Sequence, residues 1–178
     1  LVRGNDVRII NNYLHDMCFH PTFNEGVRAS DYGSDANATN RLLISHNTFQ
    51  GAGRGIIGYP GRAAIVQYND LSDGMKLATD GALMYWAKDG GNGTVRYNRI
   101  HDSQGAVGHT GSGLRGLYWD NQNSGWIAHH NIIWNLTGYA MQVNAPASGD
   151  MIFNNTFWNC SSGSILNSFS IDGPTGIN

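Results

Sequence analysis

Charged residues are scarce in this chain, and two residue types that usually build helices are almost missing. Only 13% of the residues are Asp, Glu, Lys or Arg, against roughly 25% in typical domains. Glu25 is the only glutamate, and Lys76 and Lys88 are the only lysines. Because long helices use Glu and Lys on their exposed faces, the composition disfavours helix and favours turn-rich β structure.

The net charge and the short apolar runs exclude two classes of partner. A formal net charge of -2 provides neither a basic surface for nucleic acid nor a polybasic patch for membranes. No apolar run approaches the roughly 20 residues that span a bilayer. The chain opens at Leu1 without an initiator Met or a signal peptide, which is typical of a mature chain or of a piece cut from a longer one.

Asn and Gly are abundant instead, at 20 and 24 residues, and the asparagines recur in a pattern. Each of six segments has an Asn followed two positions later by an apolar residue, with a β-prone stretch upstream. The asparagines are Asn12, Asn47, Asn69, Asn98, Asn131 and Asn155, and the apolar residues are Leu14, Phe49, Leu71, Ile100, Ile133 and Phe157. The repeat predicts stacked coils in which Asn amides bond along a column and the apolar residues fill the interior.

A second column interleaves with the first. A Gly precedes an apolar strand six times, at Gly26, Gly55, Gly81, Gly116, Gly138 and Gly163. Like residues stack at about 4.8 Å in a β-helix but need not do so in a sandwich. The sequence therefore predicts an all-β, right-handed parallel β-helix of about six coils. We expect residues 1–178 to form a single domain that is part of a longer β-helix. Cys18 and Cys160, five coils apart, are predicted to be free thiols because stacking separates them by roughly 24 Å.

Strand alternation after each Gly places one set of polar and aromatic side chains on the outer face. This set comprises Tyr59, Tyr85, Tyr118, Asp120 and Gln142, with Trp86 and Asn121 just beyond. Aromatic rings beside amides and a carboxylate suit a sugar chain, whose CH faces stack on rings while its hydroxyls need polar partners. The alternative is an exposed β face that simply favours Tyr, a good strand former.

The residue before each Gly supplies alternating charges. Glu25, Arg54, Asp80 and Arg115 occupy these positions on successive coils, which predicts ion pairs between coils. Insertions in solenoids often build the binding face, so His109 in the Gly-rich insertion and Lys88 and Asp89 in a shorter one are further site candidates. No histidine spacing resembles a zinc site, and we predict no metal site.

The segments TDGALMYWAKDGGNGTVRYNRIHDSQG (79–105) and GLRGLYWDNQNSGWIAHHNIIWN (113–135) resemble the β-helix repeats of secreted microbial carbohydrate-active proteins, the pectate-lyase-like superfamily. Within it, the elements at Asp80 and Asp120 look most like the β-helical hydrolases that include fucosidases and xylanases. The resemblance implies secretion or a cell-surface or periplasmic location. It also implies a polysaccharide or oligosaccharide substrate and an aspartate pair, Asp80 and Asp120, acting as general acid and as nucleophile or base.

In the Gly-based register Asp80 and Asp120 lie five positions apart, roughly 17 Å along an extended strand. Glycosidase carboxylates lie about 5 to 9.5 Å apart, so the pair requires a bend at Gly81. No cofactor is expected for a hydrolase.

Two other functions remain open. A polysaccharide lyase or uronate epimerase would use a basic residue or Tyr as the base, with Arg or calcium neutralising the uronate carboxylate. Suitable residues are Arg28, Arg115, His109, Lys88, Tyr85 and Tyr118. The third possibility is a non-catalytic solenoid such as an adhesin, with further coils or domains covering its ends.

Overall fold

A computed structural model describes residues 2–20, 25–29, 39–88, 91–106, 113–168 and 176–177 of the chain. These residues form strands, turns and bends but no helix, and every strand pair among them is parallel. The side chains of residues 164–168 and 176–177 are not described. The predictions for His109 and Asp89 fall outside the described residues.

Three stacked sheets contain nearly all of the strands, and a two-stranded sheet contains the rest. The first sheet consists of β1 (Arg8–Ile10), β4 (Leu43–Ser45), β7 (Ile65–Gln67), β10 (Thr94–Arg96), β14 (Ile127–His129), β18 (Met151–Phe153) and β21 (Gly176–Ile177). The second consists of β2 (Tyr13–Met17), β5 (Thr48–Ala52), β8 (Asp70–Ser72), β11 (Arg99–Ser103), β15 (Ile132–Leu136) and β19 (Thr156–Cys160). The third consists of β3 (Val27–Arg28), β6 (Ile57–Gly58), β9 (Gly81–Ala87), β12 (Leu114–Asp120), β16 (Tyr139–Asn144) and β20 (Gly163–Ser168). The small sheet pairs β13 (Asn123–Ser124) with β17 (Ala147–Ser148).

The chain visits the first, second and third sheets in turn and then returns to the first, so each round adds one strand to each sheet. This arrangement confirms the predicted all-β fold with stacked parallel strands, and it is consistent with a parallel β-helix. Two residues always separate a first-sheet strand from the second-sheet strand that follows it. The second of the two is an Asn of the predicted column.

The predicted amide ladder is present at this turn. Asn98 donates from Nδ2 to Asn131 Oδ1 at 3.0 Å and to the carbonyl of Val66 at 2.9 Å. Its own Oδ1 accepts from the backbone N–H and the Nδ2 of Asn69, both at 3.0 Å. The residue before each Asn has a positive φ of 52 to 59°. For non-glycine residues this left-handed conformation is uncommon, so the ladder holds a turn that the backbone alone disfavours.

The interior is filled by the apolar columns. Phe49, Leu71, Ile100 and Ile133 on the second sheet are buried, and they face Ile44, Val66, Val95, Ala128 and Ile152 of the first sheet. Leu14 and Phe157, at the two ends of the column, are only partly buried but pack on the same core. Cys18 and Cys160 are free and half-buried, which confirms the absence of a disulfide between them.

The predicted glycine column is wrong. Gly81 lies opposite Leu114, and Gly163 lies opposite Tyr139. The chain between the second and third sheets varies in length, so the third-sheet strands begin at different points. Individual glycines are instead required where neighbouring atoms leave no space for a Cβ. A Cβ on Gly116 would lie 2.7 Å from both the Ala140 carbonyl oxygen and Cγ2 of Ile133, a separation that real Cβ atoms do not show.

Candidate functional site

Asp120 is the centre of a hydrogen-bonded cluster at the end of β12. Its Oδ1 accepts from the Tyr118 hydroxyl at 2.9 Å, the Asn121 backbone N–H at 2.9 Å and Asn144 Nδ2 at 2.7 Å. Its Oδ2 accepts from the Tyr85 hydroxyl at 2.9 Å. We call Tyr85, Tyr118, Asp120, Asn121 and Asn144 the Asp120 cluster. Carboxylate bonds of this kind are stronger than neutral ones, so the cluster holds Asp120 in one orientation.

Strand register explains why these residues meet. Tyr85 and Tyr118 are opposite each other on β9 and β12, and Gln142 is opposite Tyr118 on β16. Asp120 and Asn144 are the last residues of their strands. The prediction that Tyr85, Tyr118 and Gln142 share one face is confirmed, and Asp120 lies two positions further along that same face.

The tyrosine rings are packed against one another and against arginines. The Tyr85 ring lies edge-on to Tyr59 at 5.7 Å and to Tyr118 at 5.3 Å. Arg54 lies over the Tyr85 ring at 5.2 Å and Arg115 over the Tyr118 ring at 4.8 Å. The three tyrosines are buried, so a sugar ring cannot stack flat on them.

Burial also sets the chemistry of these hydroxyls. It raises the pKa of Tyr59 to about 12. The pKa of Tyr85 rises chiefly because the ring is buried, and further because Tyr59 and Asp120 are near. The pKa of Tyr118 rises through burial and through the charge of Asp120. At neutral pH the tyrosines are therefore neutral hydrogen-bond donors and not bases.

Asp80 lies apart from Asp120. The strand partner of Asp120 on β9 is Ala87, seven positions after Asp80, and seven extended residues span roughly 23 Å. The Asp80 carboxylate is exposed and lies 3.4 Å from Arg115 Nη1. The predicted ion pairs Asp80–Arg115 and Glu25–Arg54 are thus present, whereas the two aspartates are not brought to the separation that a glycosidase needs.

Arg115 connects the cluster to Gln142. Its Nε donates to Gln142 Oε1, and its Nη1 donates to the Gly113 carbonyl at 2.7 Å. Gln142 is buried. Because the guanidinium also covers the Tyr118 ring, Arg115 positions the tyrosine whose hydroxyl bonds to Asp120.

Two predicted residues have other positions. Trp86 is fully buried and packs on Trp126 at 4.5 Å and on Trp119 at 6.4 Å between ring centroids. Its expected place beside the outer face is therefore wrong, because alternation directs it into the core. Lys88 is exposed, and its backbone N–H donates to the Asn121 carbonyl at 2.7 Å.

Sequence reasoning missed Asn144, which bonds to Asp120, Tyr118 and Asn121. Its signal was the strand register, since Asn144 follows Gln142 by the same two residues that separate Asp120 from Tyr118.

In the described part of the chain, no group of three or more His, Cys, Asp or Glu side chains is arranged to hold a metal ion. Within the same ranges, no helix has the length and apolar character needed to cross a membrane.

Comparisons of the chain with protein-family models, with curated proteins and with solved structures found no match.

Proposed function

We propose that this chain forms about six coils of a right-handed parallel β-helix and that it is a carbohydrate-active protein. The observation that carries the proposal is the Asp120 cluster on the outer face of the third sheet. It combines an oriented carboxylate with hydroxyl and amide donors, which are the groups that bind sugar hydroxyls. The strand order and the repeated Asn turn support the β-helix.

Asp120 is the residue that we propose for the chemistry. Among the described residues, Oδ1 accepts three hydrogen bonds and Oδ2 only one. Oδ2 is therefore the oxygen with remaining capacity to accept from a sugar hydroxyl or to exchange a proton with a glycosidic oxygen or a water. In this proposal Tyr85 and Tyr118 orient Asp120, and Arg115, which bonds to the buried Gln142, holds the Tyr118 ring in place.

The electrostatics of the cluster disfavour one route to β-elimination. A lyase needs a base beside the uronate, and the raised pKa values of Tyr85 and Tyr118 disfavour either tyrosine in that role. Asp80 is too far along the strand to be the second carboxylate of the hydrolase. The proposal therefore assigns Asp120 alone and does not assign Asp80.

The test measures reducing ends and the absorbance of unsaturated products on a panel of neutral and uronate polysaccharides. We expect the wild type to release reducing ends without new absorbance. Asp120→Asn should lower the rate at least about 100-fold, since general acid–base groups contribute about 10²–10⁴-fold. The control Asp80→Asn removes an exposed carboxylate outside the cluster and should leave the rate within about twofold.

Tyr85→Phe guards against misfolding of Asp120→Asn, because it deletes one donor to Oδ2 and keeps the ring. It should lower the rate less than Asp120→Asn does. It should cost about 1–2 kcal/mol of unfolding free energy, as for any hydroxyl lost from a buried carboxylate, and so leave the protein folded at the assay temperature. The proposal would be contradicted if an unsaturated product absorbed in the assay. It would also be contradicted if a folded Asp120→Asn protein kept full activity.

A further inference from the structure

Three aromatic side chains lie on successive strands of the second sheet, on its outer face. His101, Trp134 and Trp158 occupy the same register position on β11, β15 and β19. The His101 and Trp134 rings are stacked, with centroids 4.1 Å apart and planes within 9°. Trp158 is 62% exposed, the largest exposed fraction among the described large apolar side chains. We call these three residues the aromatic strip.

A ladder of short polar side chains runs beside the strip. The residue after each ring is Asp102, Asn135 or Asn159, and all three have φ near +50°. Asn159 Nδ2 donates to Asn135 Oδ1 at 2.8 Å, and Asn135 Nδ2 donates to Asp102 Oδ1 at 2.8 Å. We call these residues the outer ladder. Each Nδ2 uses one hydrogen in the ladder and retains a second for another acceptor.

An open cleft of about 380 Å³ lies at the outer ladder. This volume is within the range of roughly 300–1,000 Å³ that is typical of small-ligand sites. The described residues that line it are Asp102, Gln104, Asn135, Leu136, Thr137, Asn159 and Ser161. Their side chains are mostly neutral amides and hydroxyls, which are suited to a polyhydroxylated ligand.

Asp102 is the one charged side chain among those lining residues. Hydrogen bonds from Asn135 and His101 lower the pKa of its carboxyl group, so the cleft carries a negative charge at neutral pH. An anionic ligand such as a uronate is repelled there, whereas a neutral sugar is not.

We infer that the aromatic strip and the cleft at the outer ladder form a binding site for a neutral oligosaccharide. The exposed indole of Trp158 provides a surface for the CH face of a pyranose. Asn135, Asn159 and Thr137 provide donors and acceptors for its hydroxyls. This site does not depend on the function proposed for the Asp120 cluster, because it consists of other residues on a different sheet.

The experiment titrates the full chain with cellohexaose, xylohexaose, mannohexaose and maltohexaose, and with hexagalacturonate as the anionic probe. Tryptophan fluorescence and calorimetry follow binding. We expect at least one neutral probe to bind and hexagalacturonate to bind more weakly. Trp158→Ala should weaken the binding of that neutral probe about tenfold or more, and Asn159→Ala should weaken it by a smaller factor.

The matched control is Tyr68→Ala, which removes another exposed ring, 47% exposed, from the turn between the first and second sheets. It should bind the neutral probe as the wild type does. Loss of the binding in Asp120→Asn alone, with Trp158→Ala binding as the wild type does, would place the probe at the Asp120 cluster and overturn the inference.

Three outcomes would overturn the inference. The first is that none of the four neutral probes binds, and the second is that Trp158→Ala binds as tightly as the wild type. The third is that sedimentation shows a dimer that Trp158→Ala abolishes, because the strip would then be a contact between two copies of the chain.

Discussion

The outer faces of the third and second sheets carry similar residue types, but these side chains are buried on the third sheet and exposed on the second. On the third sheet, Tyr85, Tyr118 and Asp120 are each less than 10% exposed, and their polar atoms bond to one another. On the second sheet, Trp158 is 62% exposed. Within the described part of the chain, the side chains of the outer ladder bond to one another and to His101. Aromatic residues beside Asp and Asn in stacked strands can therefore form either a buried cluster or an exposed surface.

Two properties distinguish a side chain that supports a face from one that can contact a ligand. A side chain whose partners lie on the neighbouring strands contributes mainly to the stability of the face. A side chain with remaining hydrogen-bonding capacity or exposed ring area can contact a ligand. In the Asp120 cluster that capacity is concentrated on Oδ2, whereas on the second sheet it is distributed over Trp158 and two amides.

The largest expected contrast is between two alanine substitutions at aspartates. Asp120→Ala leaves two tyrosine hydroxyls, the Asn144 amide and the Asn121 N–H without their acceptor. We expect it to lower the free energy of unfolding by about 3 kcal/mol or more. Asp102→Ala on the exposed outer ladder should cost less than about 1 kcal/mol. Urea denaturation measures both free energies of unfolding. Equal losses would contradict the proposed difference between the two faces.

Asp150 should have an intermediate effect on the free energy of unfolding. It is buried as Asp120 is, but its carboxylate has far fewer hydrogen-bond partners among the described residues. Its Oδ1 accepts from the Trp126 N–H at 2.8 Å, and its Oδ2 is buried without a partner among the described residues. Burial raises the pKa of Asp150 to about 6. The folded chain thus retains this proton to a higher pH than the unfolded chain. Its contribution to stability is full below about pH 4 and is lost as the pH rises through about 6.

The loss amounts to about 2–3 kcal/mol between those pH values. Asp150→Asn cannot ionise and should remove this component. The measurement is the difference between the unfolding free energies of the variant and the wild type at several pH values, which cancels the other titrating groups. A difference that does not change between pH 4 and pH 7 would show that Asp150 keeps an ordinary pKa.

The smallest expected changes in the free energy of unfolding come from two aromatic substitutions. Tyr118→Phe removes a hydroxyl that donates to a buried carboxylate and should cost about 1–2 kcal/mol. Trp158→Ala removes a larger but mostly exposed ring and should change stability by less than about 0.5 kcal/mol. Thermal or urea unfolding distinguishes them. A larger cost for Trp158→Ala than for Tyr118→Phe would assign the strip to structural support.

The sequence could predict the Asn turn and the apolar columns because the turn between the first and second sheets always has two residues. Counting from each Asn therefore keeps its register on the second sheet. The third sheet is preceded by segments of different length, so counting from glycines placed Asp120 two positions too early. The same error brought Asp80 and Asp120 closer in the predicted register than they are in the structure.

The outer ladder could have been found. The residues four positions after the column asparagines are Asp16, Gly51, Asp73, Asp102, Asn135 and Asn159. All are residue types that tolerate a left-handed backbone, and all six have positive φ. The burial of the tyrosines could not be predicted, because strand alternation gives the direction of a side chain but not what covers it.

The invariant two-residue turn has a consequence for how such a chain can change in length. Successive column asparagines are 35, 22, 29, 33 and 24 residues apart, yet this corner never gains or loses a residue. Insertions and deletions are therefore accommodated at the other two corners. Among the described residues, each column Asn bonds to the equivalent Asn of the neighbouring strands and to nearby backbone. A whole round of three strands can therefore be duplicated or removed without altering the pattern of the ladder. The unit by which this chain can be lengthened or shortened is thus one round of three strands.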